Sequence, residues 1–253
     1  MPLTEVRGLR ISHRIVGSAD GRVLLWVPDP LGGDAPGGPP DPGLPGIATL
    51  IPDLPGQGRS DKPPEGLGLA EIAELLAVWL EILGLEPPLV WAQGPGAPVV
   101  LAALAQIGAS PERIVLVDAS VCPRARLRWA LRASILWRGL AARRRPALAP
   151  GLWARGGQRT AERLAALEGW PRVVGPARRF LRGRDRSTVL VWRAGGRCWA
   201  QDPRPVLEEL VPGAWSLEWA GPGPGPGCVE RCVELLLGEA PLRPSPVVPQ
   251  PRG

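Results

Sequence analysis

The chain has 253 residues with 33 Gly and 33 Pro, a share at which disorder is a live reading. Apolar residues at 45% argue against it, and the length suits one elaborated domain or two small ones, which excludes a wholly disordered chain and a coiled coil. The net charge is +6, with Arg outnumbering Lys 29 to 1, eleven Trp against a single Phe, and no Tyr or Asn, preferences that follow GC-rich codons.

Two scarcities narrow the chemistry. His13 is the only histidine, and histidine is the usual base for an activated Ser or Cys, so most imidazole-dependent mechanisms start at a disadvantage. The four cysteines, Cys122, Cys198, Cys228 and Cys232, are too few for a disulfide scaffold in a chain this long and form no CxxC pair. A reducing compartment is expected. Met1 to Arg14 carries Glu5, Arg7, Arg10 and Arg14 and no apolar h-region, so a cytoplasmic location is expected as well.

In chain order, Arg22 to Val27 (RVLLWV) and Ile47 to Ile51 (IATLI) read as short buried parallel strands, joined by the Gly/Pro-rich connection Pro28 to Gly46. Leu69, Ile72, Leu75, Leu76, Trp79, Leu80 and Leu83 then follow the spacing of an amphipathic helix. Pro87 to Pro111 is free of charge for 25 residues, but Gln93, Gly94, Pro95, Gly96 and Pro98 break it, so it reads as a strand (Leu89 to Ala92), a turn and a helix from about Pro98 to Ile107. A strand at Ile114 to Val117 follows. Strands alternating with helices indicate a mostly parallel sheet covered on both faces.

After Ser120 the surface character changes. Val121 to Arg186 holds seventeen Arg against Glu162, Glu168 and Asp185, a balance of +14 that leaves −8 for the rest of the chain, and it reads as an inserted helical unit. Strand and helix alternation resumes with Thr188 to Trp192, a helix at Arg204 to Leu210, a strand at Ser216 to Trp219 and a helix at Val229 to Leu237. The expected organisation is a core in two parts, 1–120 and 187–239, an Arg-rich cap at 121–186, and a Pro-rich disordered tail at 240–253.

The stretch Asp53 to Ser60 (DLPGQGRS), with a strand before it and an apolar helix after it, resembles the DxxGxGxS turn of the α/β-hydrolase family. Gly8 to Gly17 resembles that family's opening hairpin, Pro111 to Ser120 its sixth-strand segment, and Val211 to Ala214 (VPGA) the lead-in to its last strand. The resemblance covers Gly8 to Val121 and Ser187 to Leu237. It implies an α/β fold: a mainly parallel sheet of about eight strands, helices on both faces, and a small helical cap where the Arg-rich segment stands.

The family's GxSxG elbow reads AQGPG here, Ala92 to Gly96, so the nucleophile position falls on Gly94. Gap-free counts from Trp192 and Pro212 put the acid position at Gly196 and the base position at Pro224. The oxyanion-turn equivalents are Val27, Pro28 and Pro95, and Pro28 has no N–H to donate. His13 belongs by resemblance to the first hairpin, away from the elbow. Asp118 and Asp202 are alternative acids, weighed against a strand-end polar residue and a helix N-cap.

Cys122, Cys198, Cys228 and Cys232 all follow strand ends, where α/β sites form, and Cys228 and Cys232 have the i, i+4 spacing of a soft-metal pair. The bland alternative, which weighs more, is that they pack as small hydrophobes. No metal or cofactor is expected. Pro123 to Arg145 fits a basic amphipathic helix that would meet an anionic membrane or acidic partner, against arginines that only solvate a surface; no nucleic-acid motif accompanies it. The expected function is a pseudo-hydrolase, a binding or regulatory module with a small apolar ligand under the cap. The alternatives are an enzyme with non-standard residues in the same pocket and a degenerating gene product. Gly94 is expected at positive φ in a tight strand-to-helix turn.

Overall fold

The computed structural model describes residues 1–18, 20–30, 46–63, 67–119, 121, 169–184, 187–193, 204–219 and 231, 232, 234, 235 and 237. Eight strands form one sheet: β1 (Leu3–Val6), β2 (Leu9–Gly17), β3 (Arg22–Val27), β4 (Ile47–Pro52), β5 (Leu89–Gln93), β6 (Arg113–Val117), β7 (Thr188–Arg193) and β8 (Trp215–Trp219). Their spatial order is β1-β2-β4-β3-β5-β6-β7-β8. β2 runs antiparallel to β1 and to β4, and every other pair is parallel. The helices whose bounds lie among the described residues are α1 (Leu69–Ile82), α2 (Gly96–Gln106), α3 (Trp170–Leu181) and α4 (Arg204–Leu210), and 231, 232, 234, 235 and 237 are helical as well.

The strands β3, β5, β6 and β7 are apolar on both faces because both faces are covered. Leu25, Val27, Val90, Ala92, Ile114, Leu116 and Leu190 join one core cluster with α1, α2 and α3. Their sequence neighbours Leu24, Trp26, Leu89, Trp91, Val115, Val189 and Val191 join the other, with Cys232 and Leu235. The period-2 alternation of a pleated strand thus sorts one apolar run into two cores. Trp26 and Trp91 are register partners on β3 and β5, and their rings stack at 4.4 Å with an interplanar angle of 6°.

Local sequence explains the ends. Val6 pairs with Leu9 across the two-residue turn Arg7–Gly8, both at positive φ (49° and 79°), which matches the right-handed twist of a tight hairpin. The opening hairpin therefore starts at Leu3 rather than Gly8: the turn itself occupies Gly8. α1 begins where the Glu71 carboxylate accepts the Gly68 N–H at 2.7 Å. It ends at Gly84, φ +60°, whose N–H donates to Glu81 while Leu85 N–H donates to Leu80. α2 starts two residues before the expected Pro98, because a proline in the first turn replaces an N–H that has no intrahelical partner.

Of the Arg-rich segment, Val121 and residues 169–184 are described, and the latter carry α3. Trp170, Val173, Val174, Ala177 and Leu181 bury against the layer of α1 and α2, leaving the arginines outside. Gly169 lets the two helix starts meet: a Cβ there would stand 2.8 Å from Ala70 N. The segment Pro123–Arg145 and the tail 240–253 lie outside the described residues. No helix among the described residues is long and apolar enough to cross a membrane.

Candidate functional site

The C-terminal ends of β3, β5 and β6 converge on the turn after β5, where an open α/β sheet places its site. Gly94 has φ +50°. Its N–H donates to Val117 O at 2.9 Å, extending the β5–β6 ladder, and its carbonyl accepts from Ala97 N at 3.2 Å, opening α2. Strand, left-handed turn and helix follow one another within three residues, as expected for an elbow. Gly96 is fixed by a second constraint: a Cβ there would collide with the Pro28 carbonyl oxygen and stand 3.3 Å from the Val27 oxygen. The β3 end thus turns carbonyl oxygens toward the start of α2. Pro28 and Pro95 have no N–H, so of the three oxyanion-turn equivalents Val27 alone carries a backbone donor.

Asp29, which sequence reasoning missed, fills the elbow. Its carboxylate Oδ2 lies 3.5 Å from the point where a Cβ on Gly94 would stand. The half-buried residue is held from behind by Gln57, whose Nε2 donates to Asp29 O at 3.3 Å and to Pro30 O at 2.8 Å. The available signal was that Asp29 is the first carboxylate after β3, in the same strand-end tier as Gly94 and Asp118.

The Asp53–Ser60 turn that positions Gln57 is a structural device. A Cβ on Gly58 (φ +48°) would collide with the Asp53 carboxylate, which accepts the Arg59 N–H at 2.9 Å. Ser60 Oγ donates to Asp53 O and accepts the Ser12 N–H at 2.8 Å. Beyond it, Asp61 takes the Arg10 N–H at 2.8 Å and the Arg10 guanidinium at 3.0 Å. That hydrogen bonding holds the Asp61 carboxyl below its ordinary range and raises Arg10. The turn is pinned to β2, and its glutamine carries the clamp to the β3 end.

Asp118 follows β6 with φ +46°, an uncommon conformation for a side-chain-bearing residue, and its N–H donates to Val191 O at 2.9 Å. His13 lies on β2 opposite Pro52 of β4, with β4 and β3 between its strand and the elbow strand. It packs edge-on against Trp79 at 5.5 Å, and burial first, then the N-terminal charge, lowers its pKa. Cys232 is fully buried in the second core cluster, among Trp26, Trp91 and Val189. Gly196, Pro224, Asp202, Cys122, Cys198 and Cys228 lie outside the described residues.

Solved structures share this fold. The haloalkane dehalogenase DatA from Agrobacterium tumefaciens C58 matches with a TM-score of 0.65 at 14% identity, over 94% of this chain and 96% of that one. An alpha/beta hydrolase from Sphaerobacter thermophilus matches at 0.58 and 17% identity, over 93% and 100%. An alpha/beta hydrolase fold protein from Burkholderia ambifaria matches at 0.60 and 16%, over 87% and 89%. The fold is that of the α/β hydrolases. At these identities the likeness concerns the hydrolase fold alone. No family model and no curated protein matches the sequence.

Proposed function

We propose that this chain is a pseudo-hydrolase: an α/β-hydrolase fold in which the triad positions Gly94, Gly196 and Pro224 are substituted, retained as a binding or regulatory module. One observation carries the reading: at Gly94 no nucleophile is attached, and the Asp29 carboxylate takes up the adjoining space. Ester hydrolysis needs a nucleophile, a base and a stabilised oxyanion together. Here Pro28 and Pro95 also remove two of the three oxyanion-turn donors.

The expected result is no turnover of p-nitrophenyl acetate above a heat-denatured control, for the native chain and for Gly94→Ser alone, because a serine without a base is nearly inert. Turnover abolished by His13→Ala or by replacement of a cysteine overturns the reading. A second reading, an enzyme using non-standard residues, is favoured by the position of Asp29 itself; turnover abolished by Asp29→Asn would establish it, with Asp118, Cys122, Cys198 and Cys228 as further candidates.

The occupants that fit this reading are a small apolar ligand under the Arg-rich segment and an anionic partner or membrane surface outside it.

A further inference from the structure

Away from the elbow, α1, α2 and α3 enclose an open groove of about 590 Å³. Its hollow comes from small side chains, Ala70 and Ala73 on α1 and Ala102 and Ala105 on α2, facing Val173, Pro176 and Phe180 of α3. Its cationic wall is Arg172, Arg179 and Arg184. It lies along the C-terminal half of α2, whereas the elbow sits at that helix's first residue; the helix is about 15 Å long.

Arg184 is fixed before any ligand arrives. Its guanidinium stacks over the Phe180 ring at 4.2 Å, and its Nε donates to Phe180 O at 3.1 Å. Its terminal nitrogens reach Pro111 O at 3.5 Å and Ser110 Oγ at 3.4 Å. All these acceptors are neutral, so the positive charge stays uncompensated while its rotamer entropy is already spent. Among the described residues, no carboxylate pairs with Arg172, Arg179 or Arg184, and 169–184 contains five Arg and no acid. The one lining carboxylate, Glu74, pairs with Arg7 at 3.4 Å. The first turns of α1 and α3 border the groove, and so do the last turns of α2 and α3, so the helix dipoles offset one another and the arginine side chains set the sign of the charge.

We propose that this groove is a binding site for an anion with a short apolar body, an alkyl phosphate or alkyl carboxylate, whose oxygens meet Arg179 and Arg184 at one end of the cationic wall and whose chain lies on the alanine floor. The volume is that of a small-ligand site, and the lining divides into the two halves such a molecule needs. The site is independent of the elbow reading, so either can fail without the other.

The test is calorimetric titration of the full-length protein at low salt with octyl phosphate, inorganic phosphate and octyltrimethylammonium, together with co-sedimentation on vesicles of dioleoyl phosphatidate in phosphatidylcholine. Octyl phosphate is expected to bind at least about tenfold more tightly than inorganic phosphate, and the ammonium not at all. Arg184→Met, which keeps an apolar stem over Phe180, and Arg179→Gln, which removes an exposed side chain, should each weaken binding roughly three- to tenfold, with Arg14→Gln on β2 unchanged. Arg179→Gln guards against misfolding of the Arg184 variant. Binding of monomeric octyl phosphate without sedimentation assigns the site to a free ligand, and sedimentation lost in the same variants assigns it to a lipid headgroup. No binding to either probe, or binding that both variants retain in full, overturns the proposal.

Discussion

His13 is the chain's only imidazole, and its surroundings make it a sensor of folding rather than a base. Burial favours the neutral ring, so its folded pKa lies below the ordinary value, and Nδ1 is buried without a hydrogen bond. The unfolded chain binds the proton more readily, so the His13 contribution is complete above about pH 6.5 and is lost as pH falls from there through the folded value. Thermal melts from pH 7.5 to 5 should show stability falling below about 6.5, and His13→Gln should flatten that slope. At the elbow, Gly96→Ala meets the Val27–Pro28 backbone and should cost about 1–3 kcal/mol. Gly94→Ser has more room but must hold positive φ, and should cost about 1–2 kcal/mol. Denaturant titrations of the two variants check the order of these effects.

At the level of elements, position in the sheet decides what a residue is worth. Trp26 and Trp91 stack as register partners inside the second core, so Trp26→Ala should lose about 3–5 kcal/mol, whereas Arg178→Gln on the outer face of α3 should stay within about 0.5 kcal/mol. Urea unfolding followed by circular dichroism would separate them. α3 also changes how the Arg-rich segment is understood. Its spacing of Trp170, Val173, Val174, Ala177 and Leu181 is that of a helix sealing a core, and the structure lays it on α1 and α2. Charge counted over Val121 to Arg186 as one block could not separate that helix from its neighbours, because net charge carries no packing information.

For the whole molecule, charge asymmetry is the property most open to test. The balance of +14 over Val121 to Arg186 against −8 elsewhere should draw the protein to heparin and to anionic vesicles at low salt and release it at high salt, since exposed charges are screened beyond roughly 8 Å at physiological ionic strength. Reversal of Arg143, Arg144 and Arg145 to Glu should weaken that retention, and unchanged retention would make those three arginines composition alone. By itself the sequence determined the alternating strands and helices and the glycine turn at Gly94, because periodicity and glycine are local signals. The DxxGxGxS turn was likewise legible: Gly56 answers a positive φ, Gly58 the close approach of the Asp53 carboxylate, and Ser60 its bonds to Asp53 and β2. Only the tertiary structure decided that Asp29 stands in the elbow, that Gly96 must yield to Pro28, and that three arginines share a groove with five alanines. Those pairings join residues dozens of positions apart through the crossover of parallel strands, and no local pattern records which side chains the sheet brings together.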